Sequence, residues 1–331
     1  MSRSTPLLVV TLLLVGGSRP AASAPAGATP APAPVATAAK AQPSATPAAS
    51  PWQTDEQPVY SDPDDNWAKD PSVIKAGDTY YMFYTSANPW QGDGTGGKGE
   101  PRIDYATSPD GLKWTRQGVA IEKGKPGEWD DARPQAPAKP ILKDGVYYMY
   151  YAGAGKQVCV GYATSTDLVH WKKSPDNPVI RPGKANDPFV YLEDGVYYLF
   201  FNDHGERVHY VTSKDMVHWS SPPIATGAVG EGNIVLKDHG VYTMLTAVGW
   251  SHKGEYYKSW TSKGLTGFQD HGKLKIKLPT WASGAFGHGD VIQRDNQYWL
   301  YFQATNTVGK VFQIGLAKHP IHPIGLDDAN D

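Results

Sequence analysis

The chain is poor in cysteine, in long apolar runs and in charge of one sign. Its single thiol, Cys159, excludes any intrachain disulfide. Stability therefore has to come from an apolar core, which a chain of 331 residues is long enough to build. The longest apolar run, 7–15, is too short to span a bilayer. Charged residues make up 19% of the chain and the formal net charge is -2, with no block of like charge. That balance argues against a nucleic-acid partner and against an anionic membrane surface.

The chain begins with a short positive start at Arg3, then the apolar run, then small residues with Ala22-Ser23-Ala24 as a candidate cleavage site. This pattern predicts a secretory signal peptide over 1–24, with an uncleaved anchor as the alternative. The product is expected to be secreted or periplasmic and off the membrane after cleavage. Residues 25–51 are dominated by Ala, Pro, Thr and Ser, a composition that buries no core and predicts a disordered linker. The folded domain is expected over 52–331.

Aromatics are abundant, with 19 Tyr and 11 Trp, and they recur in a pattern. Five segments share a tight polar turn followed by an aromatic run: 76–86, 143–153, 193–203, 237–247 and 294–304. Each follows a short apolar strand and precedes a third strand, such as VGYATS or VHYVTS. Tyr- and Val-rich runs joined by Asp-Gly turns read as antiparallel hairpins. Repeated five times at blade-sized spacing, they predict an all-β, five-bladed β-propeller, against the alternative of a β-sandwich. The fifth repeat stops after its third strand, so the segment Gln57-Pro58-Val59-Tyr60 is the candidate for its missing outer strand. Cys159 falls in a third strand and reads as a small buried hydrophobe.

Strand alternation puts all the tight turns on one face. The other face collects the longer loops and the starts of the first strands, which line the axis. Those starts carry Asp70, Arg133, Asp187, Glu231 and His288. Three carboxylates converging on one axis repel one another and answer no structural need, so they point to chemistry. The same face carries Trp67, Trp90, Trp129, Trp250 and Trp281, whose indoles suit the C–H face of a sugar ring. Arg133 is a candidate for holding sugar hydroxyls, or else an ion-pair partner of Asp130 or Asp131.

On these residues the sequence resembles the five-bladed glycoside hydrolases, closest to family 43, which contains arabinofuranosidases, xylosidases and arabinanases. The Ala-Thr-Ser…Trp signatures at 105–114 and 162–171 also match. The resemblance covers almost all of 66–318. It implies that Asp70 is the general base, Glu231 the general acid, and Asp187 the group that orients the acid and tunes its proton affinity. It implies an inverting attack of water on an α-L-arabinofuranoside or β-xyloside within an oligosaccharide or polysaccharide. His288 matches a blade-five histidine that often lies beside a bound ion or water cluster. No cofactor is required on this reading, which leaves room for a structural or axial calcium ion, held through water at His288. Arg133, His288, Trp90 and Trp250 are expected to line the substrate site, and the protein is expected to be a monomer. Two departures stand out: Asn233 replaces a usual proline after the acid, and no arginine follows Arg294 in blade five. A sister propeller family acting on another sugar or transferring it to phosphate, and a glycan-binding propeller without activity, remain alternatives. A lectin would repeat one binding motif per blade, whereas the five openings differ.

Overall fold

The computed structural model describes residues 52–64, 67–86, 100–181, 185–203, 205–249, 255–305 and 311–321. The chain divides into two units, Met1–Thr46 and Pro47–Asp331, and every described residue belongs to the second. The expected leader and linker lie outside the described residues, as do Trp90 and Trp250.

The described residues form five antiparallel sheets arranged as the blades of a propeller. Strand β1 (Gln53–Thr54) comes first and joins the last blade. Blade one is β2 (Lys69–Ala76), β3 (Thr79–Ser86), β4 (Arg102–Ser108) and β5 (Thr115–Glu122). In blade two the first strand is split into β6 (Arg133–Gln135) and β7 (Ile141–Lys143), followed by β8 (Val146–Ala154), β9 (Val158–Ser165) and β10 (Lys172–Lys173). Blade three is β11 (Asn186–Glu193) to β14 (Ile224–Val229), with β12 (Val196–Asn202) and β13 (Arg207–Ser213) between them. Blade four is β15 (Glu231–Asp238), β16 (Val241–Val248), β17 (Tyr256–Ser262) and β18 (Gln269–Lys273). Blade five is β19 (Ala285–Arg294), β20 (Gln297–Thr305) and β21 (Gln313–Pro320), with β1 on its outer edge.

The ring closes where the incomplete fifth repeat said it must. Gln53 and Thr54 pair with Lys318 and Ala317, and Tyr60 bridges Ile314. The expected segment around Tyr60 does pair with the third strand, but the outer strand proper lies a few residues earlier.

The aromatic runs are explained by strand alternation between two buried faces. In β3, Phe83 packs with Met149, Tyr151 and Leu168 of blade two, while Met82 and Tyr84 pack with Trp299, Tyr301 and Leu316 of blade five. In β8, Tyr150 faces Leu199 and Phe201 of blade three, and Tyr151 faces blade one. Phe200 meets Met244 and Trp260 of blade four, and Leu245 and Tyr257 meet Phe286 and Phe302 of blade five. Each large cluster thus sits between two blades, and Cys159 is buried as expected.

The turns between first and second strands are two-residue turns with left-handed residues. Asp144 and Gly145 have φ of 51° and 79°, and Asp194 and Gly195 have 49° and 73°. Asp, Asn and Gly tolerate this region best. In blade one the order is Gly77-Asp78 and only the first residue has positive φ (58°), as a glycine-first turn allows.

Candidate active site

At the axial end, the first strands of blades one, three, four and five carry a bulge, and that of blade two is interrupted between β6 and β7. The pairing register slips between Lys69 and Ser72, Asn186 and Phe189, Glu231 and Ile234, and Gly287 and Gly289. One residue in each bulge is left-handed, Asp70 (φ 50°), Asp187 (47°), Gly232 (59°) and His288 (34°), and so is Ala136 (47°) just after β6 in blade two. A bulge puts an extra residue opposite one partner and re-aims its side chain. Here the four bulges, with the strand break of blade two, turn the blade openings onto one axis.

This register corrects two expectations. The three acids do not share one phase: Asp70 and Asp187 are the left-handed residues, whereas Glu231 stands one position earlier, beside Gly232. In blade two the equivalent of Asp70 is Ala136, and Arg133 lies three residues before it. No ion pair joins Arg133 to Asp130 or Asp131 among the described residues. Asp130 pairs instead with Lys173 at 2.7 Å and accepts from Tyr151. Arg133 is half-buried, its Nε is buried with no hydrogen-bond partner, and the Asp70 and Asp187 charges act on it. It therefore still faces the acids.

His288 is the hub. Its Nδ1 is 3.3 Å from Asp70 Oδ1 and 3.8 Å from Asp187 Oδ1, and its Nε2 is 3.7 Å from Glu231 Oε2. A fourth carboxylate, Glu255, stands 3.8 Å from Nε2. Sequence reasoning missed Glu255, which precedes a third strand rather than a first. It reaches the axis only because Gly287 leaves it room: a Cβ there would lie 2.2 Å from Glu255 Oε1. The Lys69 ammonium beside Asp70 was also missed. It is buried over the rings of Trp67 and Phe312, 5.5 and 5.3 Å from their centroids.

The carboxyls differ in their surroundings. Asp70 Oδ2 accepts from Thr85 Oγ1 at 2.7 Å, and Thr85 accepts in turn from the Ala136 amide. The Asp70 amide donates to Gln303 Oε1. Burial alone would raise the Asp70 carboxyl, but Lys69, His288 and Thr85 together hold it well below the usual carboxylate range. Among the described residues Asp187 accepts the Gly232 amide, at 3.3 Å, and burial pushes its carboxyl up to about 7, aided by the Glu231 and Asp70 charges against that of His288. Glu231 Oε1 accepts from Asn202 Nδ2 at 3.2 Å. Burial disfavours the His288 imidazolium, yet Asp187, Asp70 and Glu231 outweigh it and raise its pKa well above the ordinary value. Burial raises Glu255. The site thus holds an ionised Asp70, a charged His288 and an Asp187 able to keep a proton near neutrality.

An oxygen each of Asp187 and Glu231 and a nitrogen of His288 lie within 4.8 Å of one another. Calcium takes six to eight oxygen ligands at about 2.3–2.6 Å. The set offers one imidazole nitrogen and two carboxyl groups, short of the oxygen shell that calcium takes, so these residues do not by themselves make a calcium cage.

Of the tryptophans placed on this face, Trp67 packs edge-on against Phe312, Trp129 against Tyr151, and Trp281 stacks on Phe302. Trp129 and Trp281 anchor loops, while Trp67 stands beside the acids through Lys69. In blade five, where no arginine follows Arg294, Gln313 Nε2 donates to Ser61 Oγ.

No protein-family model matches the chain. A probable arabinan endo-1,5-α-L-arabinosidase C of Aspergillus niger is 25% identical over 225 residues, 63% of this chain and 64% of that one. An uncharacterized protein of Mycobacterium tuberculosis is 34% identical over 105 residues, 31% of this chain and 33% of that one. The matched stretch spans less than two thirds of either relative. Among solved structures, an α-L-arabinofuranosidase of Podospora anserina in complex with cellotriose superposes with a TM-score of 0.63 at 15% identity, over 84% of this chain and 99% of that one. A thermostable family-43 glycoside hydrolase gives 0.63 at 15% identity, over 78% and 94%. The fold is therefore the five-bladed propeller of these glycoside hydrolases.

Proposed function

We propose that the chain is a glycoside hydrolase that cleaves an α-L-arabinofuranoside by inversion, with β-xylosides as the neighbouring substrate class. The observation that carries this reading is the placement of Asp70 and Glu231 against opposite nitrogens of one buried imidazole, in surroundings that differ. Breaking a glycosidic bond takes an acid at the leaving oxygen and a carboxylate across the sugar ring. Two carboxyls do both only if their environments set their proton affinities apart.

On this reading Asp70 stays ionised beside Lys69 and Thr85 and takes a proton from the attacking water. Glu231, oriented by Asn202, gives its proton to the leaving oxygen. Asp187, whose carboxyl burial and the neighbouring Glu231 charge push up, stands beside Glu231 and orients it. His288 holds the carboxyls apart and offsets their charge. Arg133, with its unpartnered Nε, holds a sugar hydroxyl. The His288 ring between the two working carboxyls supports the wider separation of inverting sites, about 6.5–9.5 Å, over the about 5–5.5 Å of retaining ones. The arabinan and arabinofuranoside names of the relatives favour the furanoside over the xyloside. The leader at 1–24 favours secretion or the periplasm, where a polysaccharide would be met.

The test is hydrolysis of aryl α-L-arabinofuranosides and arabino-oligosaccharides, with the anomer of the first product read by NMR across pH. The expected result is an inverted anomer and a kcat/KM that falls on the alkaline side as the Glu231 acid loses its proton. The sign follows because the acid acts only while protonated. Retention of configuration would make Asp70 a nucleophile. Failure on every furanoside and xyloside would remove the substrate reading.

A further inference from the structure

Below the bulges, the first strands continue along the axis and line a channel that includes Ser72, Ala138, Lys139, Phe189, Asn233 and Asp290. Counting three residues on from each left-handed residue gives Val73, Lys139, Val190, Val235 and Val291. Four blades place a valine there, and each is buried in the cluster shared with the preceding blade. Blade two alone places a lysine. Counting two on gives Ser72, Ala138, Phe189, Ile234 and Asp290, so blade five alone places an acid.

These two departures meet. Lys139 Nζ is 3.0 Å from Asp290 Oδ1 and donates to the Val291 carbonyl at 2.7 Å. Asp290 Oδ2 accepts from the Val73 amide at 2.8 Å. One ammonium and one carboxylate thereby tie blade two to blade five, with the first strand of blade one held on the same carboxylate. Lys139 reaches that far because the first strand of blade two is broken. Pro137 and Pro140 flank it between β6 and β7, and proline donates no ladder hydrogen bond. A valine on an unbroken strand would point into the core between blades one and two.

We propose that Lys139 is the resident cation of the propeller axis: its ammonium holds the oxygens of Asp290 and Val291 that a hard metal ion would otherwise hold, and so fixes the spacing between the Asp70 and His288 strands. Carboxylate and carbonyl oxygens are the ligands hard cations prefer. An ammonium is a compact charge with three donors and suits the same oxygens. A divalent ion in the same cage would face a like charge. The proposal does not depend on the reaction the site performs, because Asp290 and Lys139 lie beyond the bulge residues.

The test is thermal unfolding of the full chain with and without EDTA, in calcium chloride, and in ethylammonium chloride against sodium chloride of equal ionic strength. The wild-type melting temperature is expected to be the same in all of them. Lys139→Ala leaves a buried carboxylate unpaired and is expected to melt about 4–10 °C lower. Ethylammonium or calcium should restore part of that loss. The pair Lys139→Ala with Asp290→Asn should recover most of it and respond to neither cation. The proposal is overturned if EDTA lowers the wild-type transition and calcium restores it, or if Lys139→Ala is as stable as wild type. Should Lys139→Ala not fold, the double variant decides: folding supports the pair, and a second failure overturns it.

Discussion

The two ends of each first strand make the same backbone move with opposite consequences. At the turn end, left-handed residues are Asp144-Gly145, Asp194-Gly195, His239-Gly240 and Asp295-Asn296. A Cβ added at Gly145, Gly195 or Gly240 would meet nothing within 4 Å. At the axial end, left-handed residues are Asp70, Ala136, Asp187, Gly232 and His288, and they are packed. Gly232 shows how tightly, since a Cβ there would lie 2.9 Å from the His288 Cα. Left-handed backbone is cheap where Gly and Asn stand in solvent. It persists at buried non-glycine residues only where surrounding structure over-determines it, which is the usual condition of a functional site. The turn end closes hairpins, and the axial end aims side chains.

The sharpest break in this comparison is to change chemistry at the axial end without changing backbone preference. Asn tolerates the left-handed region as Asp does. Asp70→Asn should therefore keep the bulge and the Thr85 contact while removing the proton acceptor, and it should also lower the melting temperature, because the charge that Lys69 and His288 stabilise is lost. Turnover is expected to fall about 10²- to 10⁴-fold, the usual contribution of a general base. A folded variant that keeps near wild-type turnover would show that the Asp70 charge serves the fold and not the reaction.

The comparison also shows what was readable in advance. The turn ends were legible because a two-residue turn is local chemistry: Asp-Gly says what φ it needs. Five such turns before Tyr-rich runs were enough for the propeller. The axial ends were half legible. Asp70, Asp187, Glu231 and His288 could be placed on the axis from strand direction alone. Their phase could not, because a bulge is a property of register with the neighbouring strand. That is why Arg133 was read as the opening of blade two where Ala136 stands. Glu255 gave no signal, since its position depends on the space over Gly287. Lys139 did give one, as the lone charge aligned with four valines, but the alignment is visible only once the bulges are counted.

A smaller effect is expected from Gly232→Ala. The new methyl would need positive φ and would press on the His288 backbone. His288 contacts Asp70, Asp187, Glu231 and Glu255, so its displacement misplaces the whole set. Misplacement of a working group by about 1 Å costs on the order of 10²-fold in rate. We expect kcat to fall by about that factor, with a lowered melting temperature. Unchanged kinetics would mean that blade five tolerates slack at its opening, and that His288 is packing rather than hub.

The smallest effect is expected from the same substitution at the other end of a strand. Gly145 has φ of 79°, as left-handed as Gly232, and a Cβ there meets no neighbour. The cost of Gly145→Ala is then the intrinsic strain of an L-residue in the left-handed region, about 1–2 kcal/mol, partly offset by the reduced freedom of the unfolded chain. A net loss near 1 kcal/mol lowers the melting temperature of a domain this size by about 2–4 °C. The site should not feel it, because the turn closes β7 to β8 at the opposite end of the blade from the bulge. Paired measurements of melting temperature and kcat/KM on Gly145→Ala and Gly232→Ala would therefore separate the two variables. Equal stability losses with unequal activity losses would establish that aim, not left-handed strain itself, distinguishes the axial end. Loss of activity in Gly145→Ala would instead show that strain travels the length of the first strand, and that the turn face is part of the machinery.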